Sequence, residues 1–235
     1  MARHGAYDHG MIPWLERNGA FPPLAKALAS PNGLLCAGGD LSPKRLLDAY
    51  RQGIFPWFSE GDPILWWSPD PRMVLFPEEL KVSRSLRRVV ARGTYEIRFD
   101  SSFRAVIQAC AAPRDGHAGT WIVPQMVEAY TKLHELGFAH SVEAWHEGAL
   151  AGGLYGLALG QVFFGESMFT REPDASKAAL VALVARLRER DFRVIDCQQA
   201  TRHLASLGAR EIPRKAFAQL LGESIQYPLS AVHWS

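Results

Sequence analysis

SVEAWHEGALAGGLYGLALGQVFFGESMF, residues 141–169, is the stretch on which the fold turns. Its residues divide into three predicted strands, Ser141 to Trp145, Ala149 to Leu157 and Gln161 to Phe169. The turn-forming groups His146-Glu147-Gly148 and Leu159-Gly160 leave so little chain between neighbours that the strands must run antiparallel, as a meander. Just downstream, Ala179, Leu180, Leu183, Val184 and Leu187 recur at i, i+3, i+4 and i+7, which predicts an amphipathic helix. Phe192 to Gln198 reads as another strand, and a last helix is expected from Pro213 to Leu221 with Pro213 in its first turn. Upstream, Met126, Tyr130 and Leu133 keep helical spacing and Gly137 closes that helix. The order strand, helix, three strands, helix, strand, helix is α+β.

The first 70 or so residues have a different texture. Phe21-Pro22-Pro23, Ser30-Pro31-Asn32-Gly33, Gly38-Gly39-Asp40 and Ser42-Pro43 punctuate the chain closely. Ser42 and Pro43 predict an N-cap and first residue for a short helix through Leu46, Leu47 and Tyr50, ending at Gly53. Three of the seven tryptophans, Trp57, Trp66 and Trp67, fall within eleven residues, a density that a simple linker does not carry. A small aromatic-rich N-terminal domain over residues 1–70, followed by a larger one over 71–235, is the division expected.

Bulk composition excludes several classes. With 48% hydrophobic and 21% charged residues, 235 residues are enough for a real core. No apolar run approaches the roughly 18 residues of a membrane span, so no membrane partner is expected. Residues 1–10 lack the apolar segment of a secretory signal. Cys36, Cys110 and Cys197 lie far apart, without pairing or metal spacing, which suits the cytoplasm. The eight histidines show no ligand spacing either, and no metal is expected. A net charge of +2 is faintly basic, but Lys81, Arg84, Arg87, Arg88 and Arg92 are concentrated within a dozen residues. On a helix Arg84, Arg88 and Arg92 form one stripe, open to two readings: a solvated face or a phosphate-binding one.

The residues with chemistry in them fall in three segments. The first, from Pro31 to Arg72, holds Asn32-Gly33-Leu34-Leu35, Gly38-Gly39-Asp40-Leu41-Ser42, Gly53-Ile54-Phe55-Pro56-Trp57-Phe58 and Trp66-Trp67-Ser68-Pro69-Asp70-Pro71-Arg72. The second is Gly165-Glu166-Ser167-Met168-Phe169, and the third is Ile195-Asp196-Cys197-Gln198 followed by Ser206-Leu207-Gly208-Ala209. In this order and spacing they resemble the leucyl/phenylalanyl-tRNA–protein transferases, over roughly Phe21 to Leu220. The meander leading through a helix into a partly splayed strand likewise resembles the N-acetyltransferase-like (GNAT-like) fold. The family resemblance implies transfer of Leu, Phe and, less well, Met from aminoacyl-tRNA to the α-amine of proteins beginning with Arg or Lys. It also implies that such transfer marks the acceptors for N-degron proteolysis.

Site residues follow from the residues and the resemblance together. A terminal adenosine needs a flat surface, and stacking is worth about 1–3 kcal/mol per base. Trp57 and Trp121 sit in turn-rich context, where core packing and adenine stacking are both open readings; the resemblance assigns them to the adenine. The resemblance alone assigns Leu154, Phe163, Gly165, Met168, Leu180 and Ile195 to the aminoacyl side-chain pocket, since each also suits a buried core. Asp196 and Gln198, two apart on a strand, share a face; Asp196 is either a hydrogen-bonded carboxylate at the core's edge or a turn cap. Glu166 is a charge inside an apolar strand, re-aimed if Gly165 marks a bulge. It is the expected partner of the acceptor's cationic side chain.

An aminoacyl ester is already activated, and about 10–20% of an α-amine of pKa 7.7–8.0 is neutral at pH 7. Supplying the neutral amine therefore costs only about 1 kcal/mol, against about 7–11 kcal/mol available from alignment. Positioning by Gln198, itself oriented by Asp196, is the expected catalytic device, and proton acceptance stays open beside it. No Ser-His or Cys-His pairing suggests an acyl-enzyme. Coenzyme A, the cofactor of a rival acetyltransferase reading, is disfavoured. Thr170-Arg171-Glu172-Pro173-Asp174-Ala175-Ser176 has no glycine, lacks a donor at Pro173 and carries two carboxylates. No cofactor is expected. A non-catalytic tRNA-binding module would leave Glu166, Asp196 and Gln198 without work.

Overall fold

The computed structural model describes residues 12–113, 121–226, 229–231 and 234. The expectation for residues 1–10 lies outside them. The described residues form two sheets. The small one holds β1 (Trp14–Leu15), β2 (Leu34–Gly38), β3 (Phe55–Pro56) and β4 (Leu65–Trp67) in the order β1-β2-β4-β3, with α1 (Pro43–Arg51) between β2 and β3. α1 starts as its sequence demands: Ser42 Oγ accepts from the Arg45 N–H at 3.4 Å and Pro43 fills the first position. Gly53, at φ 76°, turns the chain out of the helix.

The large sheet is built from β5 (Arg72–Leu75), β6 (Glu96–Phe99), β7 (Ala139–His146), β8 (Ala149–Leu159), β9 (Val162–Thr170), β10 (Val194–Gln198) and β11 (Arg210–Ile212). Its order is β11-β5-β10-β9-β8-β7-β6. Around it lie α2 (Arg84–Ala91), α3 (Phe103–Ala111), α4 (Pro124–Glu135), α5 (Ala175–Glu189), α6 (Arg202–Ser206) and α7 (Arg214–Ser224). β7, β8 and β9 form the expected meander, and α5 carries the chain back so that β10 joins β9 in parallel. Pro213 proves to be the N-cap of α7 rather than a residue of its first turn. β5 had no readable period: all four of its residues are buried, and a strand covered on both faces does not alternate.

Two irregularities shape the sheet around β9. Tyr155 faces Ser167 but Gly156 faces Gly165, so Glu166 is the extra residue of a bulge. The expected bulge is therefore present, with Gly165 beside it rather than at it. Gly156 is required opposite: a Cβ there would lie 2.2 Å from the Phe164 carbonyl oxygen. Parallel pairing between β9 and β10 runs only from Val162↔Val194 to Phe164↔Asp196, while β9 continues to Thr170. Beyond that pair the two strands part, which completes the N-acetyltransferase-like arrangement.

The sheet is covered on both faces. α5 packs Ala179, Leu183, Val184 and Leu187 against Val142, Ala158, Phe163 and Ile195. On the other face Val106 of α3 and Tyr130 of α4 join Tyr155, Phe164, Phe217 and the small sheet's Phe55 and Trp66 in one continuous core. Among the described residues no helix is long and apolar enough to cross a membrane.

Candidate active site

The bulge and the splay place three candidate side chains together on the face shared with the small sheet. Glu166, pushed out of the β8 ladder, is only 8% exposed yet pairs with no cation among the described residues. It accepts from Gln198 Nε2 at 2.9 Å, from Tyr50 OH at 2.7 Å and from Tyr130 OH at 3.2 Å. Tyr50 OH and Tyr130 OH also hydrogen bond each other. Burial pushes the Glu166 carboxyl up to about 7, with the charge of Asp196 adding to it and the donors from Tyr50, Tyr130 and Gln198 opposing. Burial, followed by the charge on Glu166, raises both phenols well above their ordinary range.

Asp196 lies at the last position of β10 that pairs with β9 and is wholly buried. Both its oxygens are gripped by the Arg72 fork, Nε to Oδ1 at 2.8 Å and Nη2 to Oδ2 at 2.7 Å. Oδ1 accepts in addition from the Gln198 backbone N–H at 3.0 Å. Gln198 itself sits at φ 60°, and Gln199 N–H reaches the Cys197 carbonyl at 2.7 Å, closing a three-residue γ-turn. A positive φ on glutamine is sparsely populated and persists where surrounding bonds enforce it. The pairing register with β5 slips at the same place, so the shared face of Asp196 and Gln198 is produced across an irregularity rather than along a regular strand. Because Gln198 Nε2 donates to Glu166, its Oε1 is the end left to accept from a substrate N–H.

The remaining predicted residues divide by element. Leu154 faces Met168 across β8 and β9, Phe163 faces Ile195 across β9 and β10, and Leu180 packs into the same cluster from α5. Of these, Leu154, Phe163, Leu180 and Ile195 are buried, while Gly165 and Met168 are half-buried. Phe163 also packs on Trp234, ring centres 5.6 Å apart. Among the described residues, a Cβ at Gly165 would meet only the Asp196 carbonyl oxygen at 3.5 Å and Ile195 Cγ2 at 3.8 Å. Trp57 is 37% exposed and leans on Trp67, whose Nε1 donates to the Trp57 carbonyl at 2.7 Å. Trp121 precedes α4, half-buried against the core. Arg84 and Arg88 on α2 and Arg92 at its C-cap are all exposed. Among the described residues no three potential metal ligands converge.

Three residues of this cluster were not singled out from sequence. Tyr50 and Tyr130 look like ordinary core positions of α1 and α4, and nothing local marks their hydroxyls. Arg72 carried a signal that could have been used. An arginine ending an apolar motif and an aspartate in an apolar strand are each costly to bury alone, and each is the other's remedy.

Comparison with known proteins follows the same residues. The family described as leucyl/phenylalanyl-tRNA protein transferase matches residues 74–222, and its N-terminal domain matches residues 39–70. Proteins named leucyl/phenylalanyl-tRNA–protein transferase are similar along nearly their whole length. The one from Nitrosospira multiformis is 63% identical over 95% of this chain and 97% of its own. That from Stutzerimonas stutzeri is 60% identical over 95% and 99%. A solved structure described as L-PGS from Bacillus licheniformis aligns over 68% of this chain and 52% of its own at 11% identity, with a TM-score of 0.40.

Proposed function

We propose, since this chain belongs to the leucyl/phenylalanyl-tRNA–protein transferase family, that its aminoacyl transfer from tRNA to a protein N-terminus is performed by positioning at Gln198. The observation that carries this reading is the pair of bonds on Gln198. Its backbone N–H is held by Asp196 at 3.0 Å and its amide by Glu166 at 2.9 Å, so one acceptor oxygen is left in a fixed direction. That oxygen receives an N–H of the incoming α-amine and aims the nitrogen lone pair at the ester carbonyl carbon. The new C–N bond forms, the bond to the ribose oxygen breaks, and the amine's surplus proton leaves with that oxygen. Alignment of this kind is worth about 7–11 kcal/mol, more than the step requires from a strong base.

The two substrates enter from different elements. Trp57 and Trp121 hold the terminal adenosine, and the exposed Arg84, Arg88 and Arg92 meet tRNA phosphates. Leu154, Gly165, Met168, Leu180 and Ile195, floored by the buried Phe163, take the Leu, Phe or Met side chain; flexible Met168 and bare Gly165 tolerate the differences in shape. Glu166 faces the cationic acceptor, beginning with Arg or Lys; residues 1–70 contribute to the donor adenosine site and residues 71–235 form the catalytic domain. A charged-tRNA donor places the reaction in the cytoplasm. Coenzyme A is given no role: the connection leading into α5 has no glycine, Pro173 lacks a donor, and Glu172 and Asp174 would repel a pyrophosphate.

Label transfer from charged tRNA to a peptide with N-terminal Arg tests the reading. Asp196→Asn and Gln198→Ala should each lower the rate at saturating substrates, and the double variant should be little worse than either. Full activity in a folded Gln198→Ala protein would remove Gln198 from the mechanism.

A further inference from the structure

We propose that Arg72 is a positioning residue for the acceptor end of this site, acting through Asp196 on the backbone turn at Gln198. The proposal rests on the reading of Gln198 as the amine-orienting group.

Neither partner of the Arg72–Asp196 pair can touch a substrate, since both side chains are 0% exposed. Any part they take in the reaction is through what they hold. Asp196 Oδ1 holds the Gln198 N–H, and Gln198 is the residue whose positive φ needs outside support. A carboxylate can support that turn only if its own plane is fixed. The fork supplies this, because two parallel bonds to the two oxygens leave Asp196 no freedom to rotate. A lysine would balance the charge but not set the plane.

Arg72 is held as firmly as it holds. Its guanidinium lies between the rings of Phe55 from β3 and Phe217 from α7, 4.8 and 4.9 Å from their centres. Two separate elements, β3 and α7, are thus committed to one arginine, which in turn sets one carboxylate and one turn. A pair needed for stability alone has no use for such a construction. Apolar residues of matching volume often replace a buried ion pair without loss of stability.

Arg72→Lys in the full chain is the first test, assayed by label transfer with donor and acceptor varied separately. The expected result is a kcat lowered by about 100-fold, the cost of a roughly 1 Å misplacement, with donor KM within about twofold of the native value. In a Gln198→Ala background Arg72→Lys should add no further loss, because its effect passes through Gln198. A native kcat in Arg72→Lys, or a loss that multiplies with that of Gln198→Ala, overturns the proposal. If Arg72→Lys does not fold, the volume-matched Arg72→Met/Asp196→Leu protein replaces it. Positioning predicts a folded protein that remains slow, and restored activity overturns the proposal. Failure of both variants to fold assigns the pair to the fold and overturns it equally. A fully active Gln198→Ala protein would sink the underlying reading instead, whereas a slow Gln198→Ala beside a native Arg72→Lys sinks Arg72 alone.

Discussion

Replacing Glu166 by Gln should change how stability depends on pH, and by a calculable amount. The carboxyl has a folded pKa of about 7 against an ordinary 4.5. Each unit is 1.36 kcal/mol, so the difference amounts to roughly 3 kcal/mol. Its sign follows from which state holds the proton. Between pH 4.5 and 7 the unfolded chain has released this proton and the folded chain keeps it, so stability falls as pH rises. The contribution is fully present below 4.5 and gone by pH 8. Glutamine does not titrate, and near pH 5 it replaces a neutral acid that also donates and accepts. The variant should therefore lie close to the native protein at pH 5 and exceed it by roughly 3 kcal/mol at pH 8. For a chain of this size that is about 6–12 °C in Tm. Urea unfolding of both proteins at the two pH values measures the difference of differences, in which every other titration cancels. Parallel curves would show that Glu166 ionises in the ordinary range. The same substitution should raise KM for an acceptor with N-terminal Arg by about 10- to 150-fold, equivalent to a charge-assisted contact of about 1.5–3 kcal/mol. Donor KM should hardly move.

Trp57→Ala and Trp121→Ala should each cost about 1–3 kcal/mol in kcat/KM for aminoacyl-tRNA. Unchanged donor kinetics in a folded Trp57→Ala protein would exclude that ring from the adenosine site. Reversing Arg84, Arg88 and Arg92 to Glu should weaken leucyl- and phenylalanyl-tRNA binding alike. It should also flatten the log–log salt dependence by about one unit per lost phosphate contact, and an unaltered slope would return the stripe to a solvated face. Gly156→Ala drives a Cβ toward the Phe164 carbonyl, 2.2 Å away in the present geometry, and so displaces the bulge that carries Glu166. Its acceptor KM should rise while donor KM holds, and native kinetics would show that the bulge shifts without consequence.

Much of the fold was legible because it is locally encoded. The meander's strands of eight to eleven residues are bounded by turn-forming residues, α5 keeps an apolar period, and Ser42-Pro43 caps α1 by contacts three residues apart. The turn-rich aromatic motif, the Gly165–Phe169 run and the Ile195–Gln198 run were enough to single out the family. The sequence also showed that Glu166 and Asp196 are charges in apolar strands. Burying a charge costs several kcal/mol unless it is paired, so partners had to exist. Which partners they were, only the tertiary structure decided. Arg72 and Asp196 are 124 positions apart and Tyr50 and Glu166 are 116 apart, and no local period links either pair. They meet because β5, four buried residues without alternation, enters the large sheet between β11 and β10, and because α1 and α4 lay their tyrosines over the β9 bulge. Side-chain period and capping act within a few residues and can be read along the chain. A buried ion pair is chosen by strand order, which the chain settles only when its distant parts are packed together.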